Sequence, residues 1–301
     1  MKILITGATG LIGTELVKLY LEKGHTVHYL TTSQNKIVSK HNYYGYYWNP
    51  EEGKIDENCL IGVDAIIHLA GANIAKRWTN AYKAEIIESR TLSSELLYNV
   101  LKKYPHQVKQ IVSASGTAIY PESFSIIYDE TSTEMDDSFL GNVVVKWEEG
   151  VDRFHLLGIK VCKLRTGIVF ANNGGALPEM VKPIKMGFGA VMGNGKQIQA
   201  WIHIKDLVNI YYFAVEKQWD GVFNAVAPNS VTNSDLTKAI AKKIKRPLFL
   251  PNIPQFIMKL ILGEMSVLLF SSKNLSAQKI QKNGYVFQIK TVHEALNDLY
   301  K

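Results

Sequence analysis

Residues 2–13 read KILITGATGLIG, and no other stretch of the chain indicates the fold as strongly. A short apolar run leads into glycines at positions 7, 10 and 13, a helical apolar pattern follows, and residues 26–31 (TVHYLT) resume as a strand. Gly7 allows a tight turn, Gly10 lets the backbone approach a diphosphate, and Gly13 lets the helix pack closely on the strand. The stretch predicts a βαβ unit whose glycine turn binds a dinucleotide, with a purely structural turn as the alternative.

The composition is that of a globular protein large enough to bury a sizeable core. The chain has 301 residues, of which 47% are hydrophobic and 20% are charged. Its formal net charge is +7, but the basic residues are scattered rather than arranged as a stripe with aromatic platforms. We therefore expect no nucleic-acid partner.

The cysteines and the apolar stretches bear on the cellular compartment. Cys59 and Cys162 are far apart in sequence and do not have the spacing of metal ligands, so we expect a reducing, cytoplasmic environment and no metal site. The chain starts directly in a strand pattern, which predicts no signal peptide. The longest apolar stretch, residues 255–270, contains Lys259 and Glu264 and is too short to span a bilayer. No membrane partner is expected.

The order of the remaining patterns predicts an α/β fold. Apolar strands alternate with long helices, which is typical of a Rossmann-type doubly wound parallel sheet with helices on both faces. Residues 44–48 are either a third strand or part of a loop. The other strand patterns are at 65–70, 110–113, 160–170, 201–204 and 221–226, and helical patterns cover 80–102, 138–157 and 206–217.

Two domains are predicted from this order. Residues 1–170, to which 206–227 return, form the dinucleotide-binding domain. Residues 171–205 and 228–301 form a smaller, mostly helical domain that covers the substrate. The first of these segments is rich in glycine and lacks periodicity, as expected for a loop over a ligand.

Five segments carry a family resemblance: GATGLIG at 7–13, HLAGANIAKRWT at 68–79, the run from RTGIVF to HIKDLV at 165–208, FNAVAPNSVTN at 223–233 and RPLFLPNIPQFIMKLILGEMSVLL at 246–269. With these segments in order, the chain resembles the extended short-chain dehydrogenases/reductases. More closely, it resembles the atypical NAD-dependent epimerase/dehydratase-like "epimerase family" group, which carries its own C-terminal domain of the DUF1731 type. The resemblance implies a cofactor-dependent epimerase or oxidoreductase that acts on a small molecule of the nucleotide-linked sugar class. It also implies a homodimer formed through the two long helices.

The residues after the second strand indicate which dinucleotide is bound. An acidic residue there would hold a ribose 2′-hydroxyl and favour NAD, but residues 31–36 read TTSQNK. Hydroxyls and a lysine suit a 2′-phosphate, so NADP is predicted, with NAD as the alternative. The predicted cofactor-binding residues are Gly7, Thr9, Gly10, Leu11, Ile12, Gly13, Thr32, Ser33, Lys36, Leu69, Ala70 and Gly71. His68, inside the preceding strand, is expected to be a core histidine rather than a catalytic one.

The catalytic pattern departs from that of the superfamily, which works through a Ser or Thr and a Tyr-x-x-x-Lys pair. The pair Tyr98–Lys102 lies on the helix before the fifth strand and is interpreted as coincidence. On the expected helix Lys146 is present, but Asn142 stands where the tyrosine would be, and an amide is neither acid nor base near neutral pH. The candidate catalytic residues are Ser115, Thr117, Tyr120 and Lys146.

Candidate substrate contacts come from the following segments. The resemblance places Arg165, Lys182, Trp201 and His203, together with Lys185, where extended relatives contact the anionic part of a nucleotide-linked sugar. Two structural alternatives stay open: Arg165 pairs with a structural carboxylate, or residues 201–206 only join the domains, with Asp206 capping the next helix. Because the tyrosine is missing, a second function also stays open, namely a cofactor-binding or redox-sensing protein without turnover.

Overall fold

The computed structural model describes residues 1–300. The strands are β1 Lys2–Thr6, β2 Thr26–Thr31, β3 Ser39–Lys40, β4 Tyr43–Asn49, β5 Lys54–Ile55, β6 Ala65–His68, β7 Gln110–Gly116, β8 Lys160–Thr166, β9 Ile168–Phe170, β10 Ile198–Gln199, β11 Trp201–His203, β12 Gly221–Ala225 and β13 Val231–Thr232. The helices are α1 Leu11–Glu22, α2 Asn80–Lys103, α3 Phe139–Asp152, α4 Ala176–Lys185, α5 Ile204–Glu216, α6 Asn233–Lys243, α7 Gln255–Leu262, α8 Val267–Phe270, α9 Gln278–Lys282 and α10 Val292–Leu299.

The main sheet has the strand order β12-β8-β7-β6-β1-β2-β4-β3, and β5 pairs with β4. From β12 to β4 all neighbours are parallel, while the short strands β3 and β5 are antiparallel to β4. The strand interpretation of residues 44–48 is therefore confirmed. The chain order reverses at β1, between β2 and β6. In open α/β sheets the crevice outside the carboxyl ends at such a point is where ligands bind.

Both faces of the sheet are covered, which explains why its central strands are almost continuously apolar. Helices α1 and α5 pack on one face around Ile3 and Ile5, with Leu16 and Tyr211 among their buried side chains. Helices α2 and α3 pack on the other face around Leu4, where Leu97, Leu101 and Trp147 are buried. The predicted Rossmann-type doubly wound α/β fold is confirmed.

The predicted strand over residues 160–170 is wrong in one respect, because it divides at Gly167. A Cβ on Gly167 would lie 2.7 Å from the Ala200 carbonyl oxygen, and the Ile168 N–H donates to that same oxygen at 2.8 Å. Strand β9 consequently leaves the main sheet and pairs in parallel with β11, with the rings of Phe170 and Trp201 stacked at 5.0 Å. The chain leads from here into the glycine-rich segment after β9.

In the structural alternative for residues 201–206, Asp206 caps the helix after β11, and the structure contradicts that part of it. The N-cap of α5 is His203, whose Nδ1 accepts from the Lys205 N–H at 3.2 Å. Asp206 is fully buried and accepts from the Tyr285 hydroxyl at 2.7 Å and from the Ile289 N–H at 2.9 Å. Its carboxylate therefore ties the C-terminal segment to α5.

The C-terminal helices surround a third apolar cluster. Side chains of α4, α6 and α10 pack together there, including Leu177, Leu236 and Leu296. Strand β12 lies in the main sheet, while the helices that follow it lie outside the sheet. The division into two domains with the boundaries given above stays a prediction. None of the helices within residues 1–300 combines the length and the apolar character needed to cross a membrane.

Candidate functional site

The glycine turn between β1 and α1 leaves little room for a side chain at Gly7 and none at Gly13. Gly7 has a φ of +67°, and a Cβ there would stand 3.1 Å from the backbone of Leu69. A Cβ on Gly13 would lie 2.2 Å from the Gly7 oxygen and 2.7 Å from the Cα of Ala8. Gly10 is the N-cap of α1, no side chain caps this helix, and its first turn contains no acidic residue. The first N–H groups of α1 are thus left for an external anion.

The end of β6 is fixed against this turn by Thr6. Its buried hydroxyl accepts from the N–H groups of Leu69 at 3.0 Å and Ala70 at 3.1 Å. The same oxygen lies 2.9 Å from Nδ1 of His68. The predicted contacts of the glycine turn and of this segment therefore lie together at one edge of the sheet: Gly7, Thr9, Gly10, Leu11, Ile12, Gly13, Leu69, Ala70 and Gly71.

His68 is a core residue, as the sequence predicted. It is fully buried, and its Nε2 lies 3.3 Å from the hydroxyls of both Ser93 and Ser94. Burial, and secondarily the charge of Arg90, lowers the pKa of His68 to about 4. The ring is therefore neutral near pH 7, and it orients the Thr6 hydroxyl.

Polar residues follow the carboxyl end of β2, the strand that pairs with β1. Thr32 is exposed, Ser33 is half-buried, and Lys36 is exposed at the end of the 3-10 turn Gln34–Lys36. Within residues 1–300, the side chains of these three residues have no hydrogen-bond or ion-pair partner. There is no acidic residue between positions 31 and 40. The edge offers hydroxyls and a lysine to a phosphate.

The loop after β9 contacts the helix that follows the glycine turn. Cβ atoms on Gly174 and Gly175 would lie 3.4 and 3.1 Å from the side chain of Leu11. The loop is therefore in contact with the first residue of α1. This position agrees with the expectation that the segment after residue 170 covers a ligand.

A buried polar cluster occupies the carboxyl ends of β7 and β8, and we call Ser115, Tyr120, Glu148, Arg165 and Asn224 the Glu148 cluster. Ser115 Oγ donates to Glu148 at 2.6 Å. Arg165 donates to the same carboxylate through Nε at 2.8 Å and Nη2 at 2.9 Å. Its Nη1 donates to the Tyr120 hydroxyl at 2.9 Å, and that hydroxyl donates to Asn224 Oδ1 at 2.8 Å.

The cluster changes the interpretation of Ser115, Tyr120 and Arg165. Their exposed fractions are 5%, 1% and 7%, and every polar group described above is directed at another member. Burial raises the pKa of Tyr120, although Arg165 opposes the shift. Burial also opposes ionisation of Glu148, but the hydrogen bonds and charge of Arg165 outweigh it and hold the pKa of Glu148 below its usual value. The expected catalytic roles of Ser115 and Tyr120 and the substrate contact of Arg165 are not supported, whereas the alternative pairing of Arg165 with a structural carboxylate is confirmed.

Trp201 and His203 are also structural. Neither side chain has any exposed surface. Trp201 Nε1 donates to the Asn229 carbonyl at 2.8 Å, and His203 caps α5 with Nε2 3.4 Å from Asp298. The structure therefore gives no support to the expected contacts of these two side chains with a substrate, and those contacts stay a prediction. Lys182 and Lys185 are exposed on α4, and their contact with a substrate stays a prediction.

Thr117 and Lys146 are the catalytic candidates that remain accessible. Thr117 is half-buried just after β7, Lys146 is exposed on α3, and the structure gives neither side chain a partner within residues 1–300. Asn142, one helical turn before Lys146, is exposed and donates to the Asp137 and Ser138 carbonyls at 2.9 and 3.0 Å. It stands on the same side of α3 as Lys146. Tyr98 is buried in the core, in agreement with the interpretation of its pairing with a lysine as coincidence.

The sequence analysis missed Glu148. A signal was present, because Val144, Trp147 and Val151 mark the buried face of α3 and Glu148 lies on that same face. A carboxylate there requires a buried cation. The sequence does not tell which cation, since Arg165 comes from a strand 17 positions away.

Comparison with known proteins identifies the family. The sequence model of the NAD dependent epimerase/dehydratase family matches residues 3–226. This chain belongs to that family. A second family, a domain of unknown function called DUF1731, matches residues 253–299, so the expected C-terminal domain type is confirmed as well.

Individual members of the family match over nearly their full length. The epimerase family protein SAR0825 of Staphylococcus aureus (strain MRSA252) is 33% identical, with 98% of each chain covered. The epimerase family protein SDR39U1 of Mus musculus is 31% identical, with 99% of each chain covered. A crystal structure of human SDR39U1 (isoform 2) with NADPH superimposes with a TM-score of 0.84 at 28% identity and covers 100% of this chain and 99% of that one.

Proposed function

We propose that this epimerase/dehydratase family member binds NADP(H) in the crevice at the carboxyl ends of β1, β2 and β6, and exchanges hydride with a small polar substrate as an oxidoreductase or epimerase. The proposal rests on one observation: the N-terminus of α1 has no side-chain cap, and it follows a turn in which a Cβ would be crowded at Gly7 and has no space at Gly13. Close backbone approach and free N–H groups together are what a diphosphate requires. The NADPH in the human SDR39U1 structure supports the proposal.

The residues present fit a phosphorylated dinucleotide. The first turn of α1 would hold the diphosphate, and Leu69, Ala70 and Gly71 would line the opposite wall. Thr32, Ser33 and Lys36 would hold a 2′-phosphate, because they offer donors and a positive charge without an acidic competitor. A bound nicotinamide supplies hydride chemistry, and NAD is the alternative cofactor.

The groups proposed to act on the substrate are Thr117 and Lys146, and water would carry the proton that accompanies hydride transfer. The Thr117 hydroxyl is available to donate a hydrogen bond to a reacting oxygen, since it has no partner within residues 1–300. Lys146 is available to hold a ribose hydroxyl or an anionic substrate group. We propose a nucleotide-linked sugar as the substrate class, with Lys182 among its contacts. A homodimer through α2 and α3 and a cytoplasmic location are the accompanying expectations.

A second candidate function is cofactor binding without turnover, with a structural or redox-sensing role. One observation favours it: Ser115 and Tyr120 are buried in the Glu148 cluster, where their hydroxyls bond to other members of the cluster. We further infer from the sequence that Asn142 takes the place of the family's tyrosine. The protein then has a cofactor crevice without the usual proton carrier.

Turnover distinguishes the two candidates. The purified protein is incubated with NADPH or NADP⁺ and a panel of nucleotide sugars, aldehydes and ketones, and products are followed by cofactor absorbance and chromatography. Catalysis predicts conversion that falls about tenfold or more in Thr117→Val and Lys146→Met, while NADPH still binds. A cofactor that binds but stays unchanged across the panel supports the second candidate.

A further inference from the structure

Arg90 is a buried cation directly beneath the wall of the cofactor crevice. It lies on α2 with 8% of its surface exposed. Its Cζ is 3.2 Å from the position that a Cβ on Gly71 would occupy. Its Nη2 donates to the Ala72 carbonyl at 3.3 Å and its Nη1 to the Ile86 carbonyl at 2.8 Å. The guanidinium thus sits under the segment that follows β6.

The charge of Arg90 has no carboxylate partner within residues 1–300. All of its acceptors are neutral carbonyl oxygens, and its buried Nε has no acceptor there. The guanidinium stacks over the ring of Trp147 at 4.8 Å. Burial lowers the pKa of Arg90 to about 10, so it stays charged near neutral pH. Arg165 differs sharply, since a buried carboxylate compensates its charge.

An unpaired buried charge destabilises a protein unless something compensates it. A short stretch of backbone joins Arg90 to the glycine turn. Thr6, just before the turn, accepts hydrogen bonds from the N–H groups of Leu69 and Ala70, and the next residue, Gly71, lies against the guanidinium of Arg90. Gly71 carries no side chain that would separate the guanidinium from the crevice. A diphosphate at the N-terminus of α1 would bring two negative charges to the region that lacks them.

We propose that Arg90 is a positioning residue for the cofactor: its buried charge is left unpaired in the free protein and is compensated by the diphosphate of the bound dinucleotide. This inference rests on the proposed function. The unpaired charge destabilises the free protein, and a bound diphosphate would compensate it. The charge of Arg90 therefore lowers the stability of the free protein and raises its affinity for the cofactor.

The test compares Arg90→Met and Arg90→Lys with a matched control, Arg153→Met. Methionine keeps the contact with Trp147 but removes the charge, whereas lysine keeps the charge and changes the geometry. Arg153 also stacks on an aromatic ring, that of Tyr98 at 4.4 Å, but it is exposed and follows α3. Thermal midpoints are measured without ligand, and the Kd for NADPH is measured by calorimetric titration.

The charge model predicts that Arg90→Met has a ligand-free midpoint equal to or above that of the wild type. Its Kd for NADPH rises about tenfold or more, which corresponds to about 1.4 kcal/mol. Arg90→Lys binds within about threefold of the wild type, and Arg153→Met changes neither quantity.

A lower ligand-free midpoint with an unchanged Kd in Arg90→Met would overturn the inference. Arg90 would then only stabilise the fold, through its hydrogen bond to the Ala72 carbonyl. If Arg90→Met does not fold, the Lys variant decides, because loss of binding by a variant that keeps the charge contradicts the charge model. A wild-type protein that does not bind NADPH refutes the proposed function, and this inference with it. Wild-type binding with unaltered affinity in the folded Met variant refutes the inference alone.

Discussion

Replacing Glu148 by glutamine should destabilise the protein far more than any change at its exposed neighbours. The carboxylate accepts from Ser115 and twice from Arg165, and the ammonium of Lys163 lies 3.6 Å away. Glutamine keeps one acceptor oxygen but places an NH₂ group against Arg165 Nη2, so that two donors face each other. It also removes the negative charge that compensates the buried guanidinium.

The magnitude follows from the burial of both partners. The side chains of Glu148 and Arg165 are 8% and 9% exposed, so water cannot solvate a lone guanidinium there. Breaking a buried ion pair by removing one partner costs about 3–5 kcal/mol. This is a large part of a total stability of about 5–15 kcal/mol. Lys163 contributes less to the loss, because it keeps Asp152 at 2.7 Å.

The assay is urea unfolding at neutral pH of the wild type, Glu148→Gln and Glu149→Gln. Glu149 is exposed on the same helix, so its substitution removes the same charge from the same element, and we expect a change within about 0.5 kcal/mol. A Glu148→Gln protein within about 1 kcal/mol of the Glu149→Gln protein would refute the structural role of the cluster. Ser115 and Tyr120 would then again be candidates for catalytic residues.

Three further predictions concern the crevice and its support. Gly13→Ala should cost about 1–3 kcal/mol in urea unfolding, because its Cβ would overlap the backbone of the turn; an unchanged midpoint would contradict the tight packing. Lys36→Glu should raise the Kd for NADPH about tenfold and leave that for NADH unaltered, and an equal effect on both would argue against a 2′-phosphate contact. The pKa of His68 is about 4 when folded and 6.5 ordinarily, so stability should fall as the pH drops between these values, by up to about 1.4 kcal/mol per unit. His68→Gln should flatten that part of the profile, and an unchanged profile would place the titration elsewhere.

Local sequence was sufficient for the elements that position the crevice. The predicted strand at 26–31 has the same bounds as β2, and the apolar run before Gly7 forms β1. Both signals come from apolar runs bounded by glycines, and they act over only a few residues. The spacing of Gly7 and Gly13 was sufficient to predict the tight turn and the close packing of the helix on the strand. The absence of an acidic residue after β2 was equally visible.

Sequence-based predictions differed from the structure where contacts between segments distant in sequence determine the local conformation or the burial of a side chain. Gly167 ends β8 because the Ala200 carbonyl approaches it, and position 200 is far away in sequence. Trp201 was expected to face a substrate, but Phe170 and the third apolar cluster enclose it. The partner of Arg165 lies on a helix, and only the packing of α3 against β7 and β8 brings Glu148 to it. Side-chain type indicates what a residue can do, and tertiary packing determines whether it is free to do it.

The proposed function requires the glycine turn to bind a phosphorylated dinucleotide. Thermal unfolding with NADPH, NADP⁺, NADH and NAD⁺, in the wild type and in Gly10→Asp, measures this binding. Aspartate is a good N-cap residue, so the variant should fold, while its carboxylate repels a diphosphate at the start of α1. At one hundred times its Kd a ligand adds about 2.7 kcal/mol of stability. We predict a clear rise in the midpoint of the wild type with NADPH and NADP⁺, larger than with NADH and NAD⁺, and none in the variant. No rise with any of the four, in protein freed of carried-over cofactor, would contradict the claim and leave the turn a purely structural feature.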